Sequence, residues 1–265
     1  MPGYDPDQAA DALFEARQNR AQIAPLAAAI APRTEAEGAA VQYALARRTG
    51  AASPTASPGG FKIGATARRM QEYLGLNGPA AGFMAVGNLY RSGAIVRFAD
   101  YLCPGVECEL AVRLARDLPP GPCTQEQAAA AVGDLFAGIE IVENRYGELV
   151  ELGTPTLIAD QVFHAAAVLG EPRIQDWRSL DIATLRGRLV VDGHVRDEGV
   201  GADLLGHPLN CLAWLAASSV AAAFGGLKAG QVVMLGSVTP PIWLTGPADV
   251  TVDFESLPPV QMRLG

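Results

Sequence analysis

The chain has no stretch of about 18 to 20 uninterrupted apolar residues, the length a membrane-spanning helix needs. Its N-terminus, MPGYDPDQAADALFEARQNR, carries acids and no apolar core of the signal-peptide kind, so the expected location is cytoplasmic. Basic charge is scarce as well: 20 Lys and Arg against 28 Asp and Glu give a net charge of -8. Nucleic-acid backbones are held by clustered Lys and Arg, so this balance argues against a nucleic-acid partner, and likewise against an anionic membrane surface. A small anionic substrate would have to be drawn in by a few placed cations or by a metal. Cys103, Cys108, Cys123 and Cys211 show no C-x-x-C or other zinc-like spacing, and four cysteines in a chain this long do not build a disulfide scaffold; reduced structural thiols are expected. GxGxxG and GxxxxGK[ST] are both missing, the glycines around Lys62 have the wrong order for a phosphate cradle, and no solenoid-type repeat occurs.

What is there reads as an ordinary globular chain of 265 residues, 49% hydrophobic and 18% charged, long enough for one substantial core. Ala9, Ala10, Leu13 and Phe14 mark one face of a helix expected from Asp5 to about Ile30. A second helix is expected from about Thr34 to Arg48, capped by Thr34 with Glu37 three residues on and ended by Gly50. After the loop AASPTASPGG the pattern changes to strands: GFKIGAT, VECELAVRLA, GIEIV, RGRLVVDG, QVVMLG and DVTVDFES. Only Ala67 to Leu74, Gln125 to Phe136 and Leu209 to Phe224 read as later helices. The expectation is an α+β chain with a helical N-terminal region over 1–58 and a β-rich core over 59–265, together one compact unit.

In Val106-Glu107-Cys108-Glu109-Leu110-Ala111-Val112 strand alternation puts Glu107 and Glu109 on one face and Val106, Cys108, Leu110 and Val112 on the other. A half-buried strand with a wet outer face gives the same pattern, although like charges so close are costly unless a cation or a proton neutralises them. Glu140, in Gly138-Ile139-Glu140-Ile141-Val142, has apolar neighbours that favour burial, and a buried carboxylate needs a partner. That partner is either an ion pair with Arg145 or another arginine, or a hard cation shared with Glu107 and Glu109. Lys62, between glycines in Gly60-Phe61-Lys62-Ile63-Gly64, is either a snorkelling strand lysine or a partly buried amine with a depressed pKa, usable as a general acid or base.

Taken in order, these segments resemble the fumarylacetoacetate hydrolase superfamily, in particular its 2-keto-4-pentenoate hydratase and 4-oxalocrotonate decarboxylase branch. The resemblance spans AAVQYALARRTG at 39–50, FKIGATARRMQEYLGLNGPAAGFM at 61–84 and VECELAVRLARDLP at 106–119. It continues through IEIVENRY at 139–146, GVGADLLGHPLNCLAWLA at 199–216 and GLKAGQVVMLGSVTPPI at 226–242. It implies a β-rich roll or sandwich with a small helical N-terminal part, a homo-oligomer, and association with a partner enzyme of the same pathway. It implies Mg²⁺ or Mn²⁺ held by Glu107, Glu109 and Glu140, with Lys62 in the active site. The implied chemistry acts on a small 2-oxo or 2-hydroxydienoate acid, whose carboxylate and 2-oxo oxygens meet the metal while an enolate forms. Arg145 would anchor an anionic end or orient Glu140.

Two departures bear on the reaction. Many hydratases of this branch read roughly D-x-P-D-F-G where this chain has Asn77-Gly78-Pro79-Ala80-Ala81-Gly82, so an acid tied to water activation is Ala80. A-D-N-x-S becomes Ala159-Asp160-Gln161-Val162-Phe163, followed by His164, and Phe163 in place of serine suggests a more apolar substrate tail. Lys62, Arg145, Asp160 and His164 are the catalytic candidates, with His164 either a replacement proton carrier or plain structure. His207 reads as local structure before a helix, and His194 as a surface residue in a turn. The leading expectation is a metal-dependent hydratase of aromatic-compound catabolism. A metal-dependent 2-oxo acid decarboxylase comes second, then a non-catalytic partner subunit of such an enzyme; carbon-carbon hydrolysis ranks below the two lyase reactions.

Overall fold

Asp5 opens the first helix by accepting the Asp7 backbone N–H, with Pro6 at the position where a missing N–H costs nothing. In the computed structural model, which describes residues 4–147, 152–174 and 176–265, this helix, α1, covers Pro6–Gln18 and does not run on to Ile30. Arg20 takes a left-handed φ of 49°, which ends the helical path, and the chain continues irregularly to Thr34. Helix α2 (Glu35–Arg48) follows the reading closely: Thr34 accepts the Glu37 N–H, and Gly50 lies just beyond the end at φ 73°. The Glu37 carboxylate takes the Arg33 N–H, so the box closes one residue earlier than usual.

Strands β1 (Gly60–Gly64), β2 (Ala80–Met84), β3 (Leu89–Arg91), β4 (Ala94–Val96), β5 (Pro104–Leu114), β6 (Val132–Glu143) and β7 (His164–Leu169) come first. They are followed by β8 (Arg186–Val191), β9 (His194–Val200), β10 (Val232–Ser237), β11 (Ile242–Trp243), β12 (Ala248–Phe254) and β13 (Val260–Leu264). One mixed sheet runs β2-β1-β10-β5-β6-β7-β3, with β11 added to β5; a second runs β4-β13-β12-β8-β9. The remaining helices are α3 (Arg68–Leu74), α4 (Gln125–Ala131), α5 (Gly153–Ala159), α6 (Pro208–Ala217) and α7 (Ser219–Ala223). Helix α4 stops five residues short of the expected Phe136, because Val132 to Phe136 pair with β5 and place Leu135 and Phe136 on opposite faces of the sheet. The expected helix over Leu209–Phe224 breaks at Ser218, which is extended and caps α7 with its own hydroxyl.

The long β5–β6 pairing divides the apolar side chains into two groups. Val106, Cys108, Leu110 and Val112 belong to the main core shared with Leu189, Val252 and Phe254 of the second sheet. On the opposite face Met84, Ala111, Phe136, Ala167, Val232 and Met234 form a separate small cluster. Burying each of its larger side chains contributes about 1.5–3 kcal/mol. Helix α2 packs against α1, α5 and α7, and its buried Gln42 fixes it to the sheet. The Gln42 amide donates to the Ala81 and Ile158 carbonyls and accepts the Phe83 N–H. All four cysteines are unpaired, Cys108 and Cys211 fully buried. No helix among the described residues is long and apolar enough to cross a membrane.

Candidate metal centre

The acids share the sheet face that carries the small apolar cluster, with Ala111 two residues beyond Glu109. Antiparallel register sets Glu107 directly across from Glu140, and Lys62, at the middle of β1, is buried close by. One carboxylate oxygen from each of Glu107, Glu109 and Glu140 lies within 4.8 Å of the other two. Glu109 is 1% exposed and Glu140 is fully buried, whereas Glu107 is half-buried, so the cluster reaches solvent at Glu107.

Each acid is positioned by a local irregularity. A bulge between Met234 and Ser237 turns the Gly236 N–H onto the Glu109 Oε2 at 2.8 Å. Gly236 has φ 119°, and a Cβ there would sit 2.6 Å from the Thr66 hydroxyl, so only glycine fits. Glu140 Oε1 receives Lys62 Nζ at 3.1 Å and His164 Nδ1 at 2.9 Å. Both donors meet the same oxygen, and Glu140 Oε2 and His164 Nε2 are buried without a hydrogen-bond partner among the described residues.

Burial disfavours the Lys62 ammonium, but Glu140, Glu107 and Glu109 outweigh it and hold the amine above the ordinary lysine value. That corrects the expected depression: the facing carboxylates favour a charged Lys62. Burial likewise opposes the Glu140 anion, and Lys62 and His164 overcome it, keeping the carboxyl below its usual range. Glu107 has no such pair of donors, and burial followed by the Glu140 charge pushes it up to about 8. Burial, followed by the Glu140 and Glu107 charges, raises Glu109 well above its ordinary value, Lys62 and the Gly236 N–H compensating in part. Burial lowers His164, so it is neutral and donates from Nδ1 to the Glu140 anion.

Once Glu107 and Glu109 give up their protons, three carboxylates and one ammonium leave two negative charges in a space closed to water on the Glu140 side. A divalent cation fits this donor set: it neutralises the excess and takes up the orphaned oxygen of Glu140.

The other candidates lie elsewhere. Arg145 does not orient Glu140: its guanidinium bonds Glu143 at 2.7 Å and Asp160 at 2.8 Å. Strand alternation explains this, since Glu143 and Glu140 point to opposite faces of β6. Asp160 also receives Arg17 Nε at 2.9 Å and the Tyr146 hydroxyl at 3.0 Å. Burial opposes its charge, but Arg145 and Arg17 hold its carboxyl low. Neither Arg145 nor Asp160 bonds any of the three glutamates, although Asp160 is only four residues from His164. Between them Gln161, Val162 and Phe163 have φ of 58°, 52° and 64°, three left-handed residues in a row. This turn sends the Phe163 ring onto Tyr146, centroids 6.0 Å apart, and brings Val162 against Gly64. A Cβ on Gly64 would meet Val162 at 2.9 Å and Lys62 Nζ at 3.3 Å, so Gly64 leaves room for both side chains. Ala80 is buried at the start of β2 and offers no acid. His207 caps α6 through the Leu209 N–H, and His194 is exposed beside the β8–β9 turn, both as read.

A cleft opens beside Glu107 and Glu109, walled by Thr66, Arg69, Met70 and Thr239 among others. Sequence patterning did not single these out, because α3 and the segment after β10 meet the acids only through tertiary contacts. The one available signal was the glycine-bounded strand end at Gly236-Ser237, a sign of an interrupted ladder.

Residues 67–264 match the model of the fumarylacetoacetate (FAA) hydrolase C-terminal family. The chain is 34% identical over 181 residues to a 2-keto-4-pentenoate hydratase of Burkholderia vietnamiensis, covering 68% of each chain. It is 28% identical over 204 residues to a 4-oxalocrotonate decarboxylase of Pseudomonas putida, covering 77% of this chain and 76% of that one. Among solved structures, the 4-oxalocrotonate decarboxylase from Pseudomonas putida G7, complexed with magnesium and adipate, superposes with a TM-score of 0.87 at 26% identity, over 98% of this chain and 97% of that one. Family match, relatives and whole-chain superposition agree: the chain belongs to the fumarylacetoacetate hydrolase family, in its branch of hydratase and decarboxylase enzymes.

Proposed function

We propose that this chain is a divalent-metal-dependent lyase that adds water to a 2-hydroxydienoate or related 2-oxo-enoate acid, with Glu107, Glu109 and Glu140 as the metal ligands. The observation that carries the reading is the orphaned, buried Glu140 Oε2 beside two further carboxylates. Mg²⁺ or Mn²⁺ suits an all-oxygen set of this kind, and when bound it supplies a Lewis acid for the substrate's carboxylate and 2-oxo oxygens. Lys62 holds a proton on Nζ at the edge of the cluster, placed to stabilise developing negative charge and to hand that proton to a substrate carbon. His164 fixes the Glu140 rotamer through Nδ1. The small apolar cluster beyond the acids keeps water from that side. Arg145 and Asp160 act from outside the acid cluster, by holding the turn that delivers His164.

A second reading, decarboxylation of a 2-oxo diacid, is favoured by Ala80. Loss of carbon dioxide from such a substrate needs an electron sink and a proton but no activated water, so the missing acid costs it nothing. Incubation with Mg²⁺ and a panel of 2-hydroxydienoates and 2-oxo diacids, followed by mass spectrometry, separates the two. Water gain supports hydration, carbon dioxide loss supports decarboxylation, and no change with any substrate despite bound metal would overturn both in favour of a non-catalytic partner subunit.

A further inference from the structure

Arg69 stands in the wall of the cleft that contains Glu107 and Glu109, and it is the one cation among the described lining residues. Its neighbour Arg68 is engaged with Glu72 at 3.1 Å, whereas Arg69 forms no ion pair with a described residue. The side chain is exposed and follows Thr66, whose hydroxyl lies against Gly236 on the Glu109 side. An unpaired guanidinium facing a cleft with two glutamates, in a chain of net charge -8, is placed for an incoming anion.

We propose that Arg69 determines substrate choice by pairing with a second carboxylate at the far end of the substrate, so that the preferred substrates are 2-oxo diacids. The inference rests on the proposed function, since a head group bound at the three acids is what directs the tail along the cleft. A methyl-ended tail leaves the guanidinium in water and gains nothing from it. A carboxylate-ended tail gains a charge-assisted contact for which arginine's fork is preorganised. This replaces the apolar-tail expectation from Phe163, whose ring is turned away onto Tyr146. The remaining cleft wall accommodates the chain between the two ends: Met70 and Pro240 supply apolar surface.

The test compares 2-oxoadipate with 2-oxohexanoate, which share a head and a length and differ only in the distal carboxylate. Neither carries the conjugated double bond that hydration needs, or through which electrons from a departing distal carboxylate could reach the 2-oxo group, so calorimetry in Mg²⁺ reads binding alone. The native protein should bind 2-oxoadipate about tenfold more tightly, the size of one charge-assisted contact. Arg69→Gln should bring the ratio of the two affinities close to one, and Arg69→Lys should keep part of it. No preference in the native protein, an unaltered ratio in Arg69→Gln, or binding of neither acid would overturn the proposal. A clear Arg69-dependent preference without turnover of any conjugated substrate would instead remove the lyase reading and leave the diacid subsite standing.

Discussion

Glu140 is held by two donors on one oxygen and by none of the described residues on the other, an arrangement that fixes its rotamer and leaves one oxygen to bind. If His164 serves to aim that carboxylate, His164→Ala should lower metal affinity about ten- to a hundredfold, the usual cost of removing a ligand's own support. Calorimetry with Mn²⁺ checks this, and an unchanged affinity would assign His164 to packing alone. The raised Glu107 gives a pH dependence of definite sign. Without metal the folded chain retains a proton there up to about 8, while the unfolded chain releases it near the ordinary 4.5. The folded state therefore binds more protons between those values, and metal-free stability falls as pH rises through them. A divalent ion displaces that proton, so metal affinity and the metal-induced rise in Tm should both be larger at pH 8 than at pH 6. A Tm increment independent of pH would contradict the assignment. Strand alternation was enough to put Glu107 and Glu109 on one face. The partners of Glu140 were not legible, because Lys62 and His164 come from strands that only sheet order brings together, whereas Arg145 is near in sequence and points away.

Two irregular elements hold the site, and both break simple periodicity. The bulge at Gly236 aims a backbone N–H at Glu109, and the left-handed turn at Gln161–Phe163 delivers His164. Gly236→Ala should cost about 1–3 kcal/mol through its positive φ and the clash with Thr66. It should also weaken metal binding, which denaturant titration and calorimetry measure separately; stability loss without loss of affinity would show that the bulge serves folding only. The regular strands were readable from alternation and β-branched content, and Thr34 and Gly50 marked the limits of α2. Short or unusual strands escaped: β2 reads AAGFM and is buried on both faces, so it shows no alternation. Helix ends were overrun at Ile30 and Phe136, where tertiary pairing and a left-handed residue override local preference.

At the scale of the whole chain, the N-terminal helices are fastened to the region of the site by buried charge. Arg17 of α1 pairs with Asp160, which also engages Arg145 and Tyr146, so helix and core share one network across 143 residues of sequence. Arg17→Ala leaves Arg145 as the remaining cation on Asp160 and should destabilise the chain by about 3 kcal/mol, the low end for a broken buried pair because Arg17 is partly exposed. Chemical denaturation would read this directly. Composition had already pointed to an acidic protein with a cationic need, and the order of motifs pointed to the family. What composition withheld is where charge remains uncompensated, which depends on three strands and a turn converging on one face of the sheet. The site therefore stands on the three glutamates. Calorimetric titration of the native protein with Mg²⁺ and Mn²⁺, beside Glu107→Ala and Glu109→Gln variants whose circular dichroism shows an intact fold, tests it most directly. One ion per chain in the native protein and none measurable in either variant is the predicted result; equal affinity in native and variant proteins would contradict it.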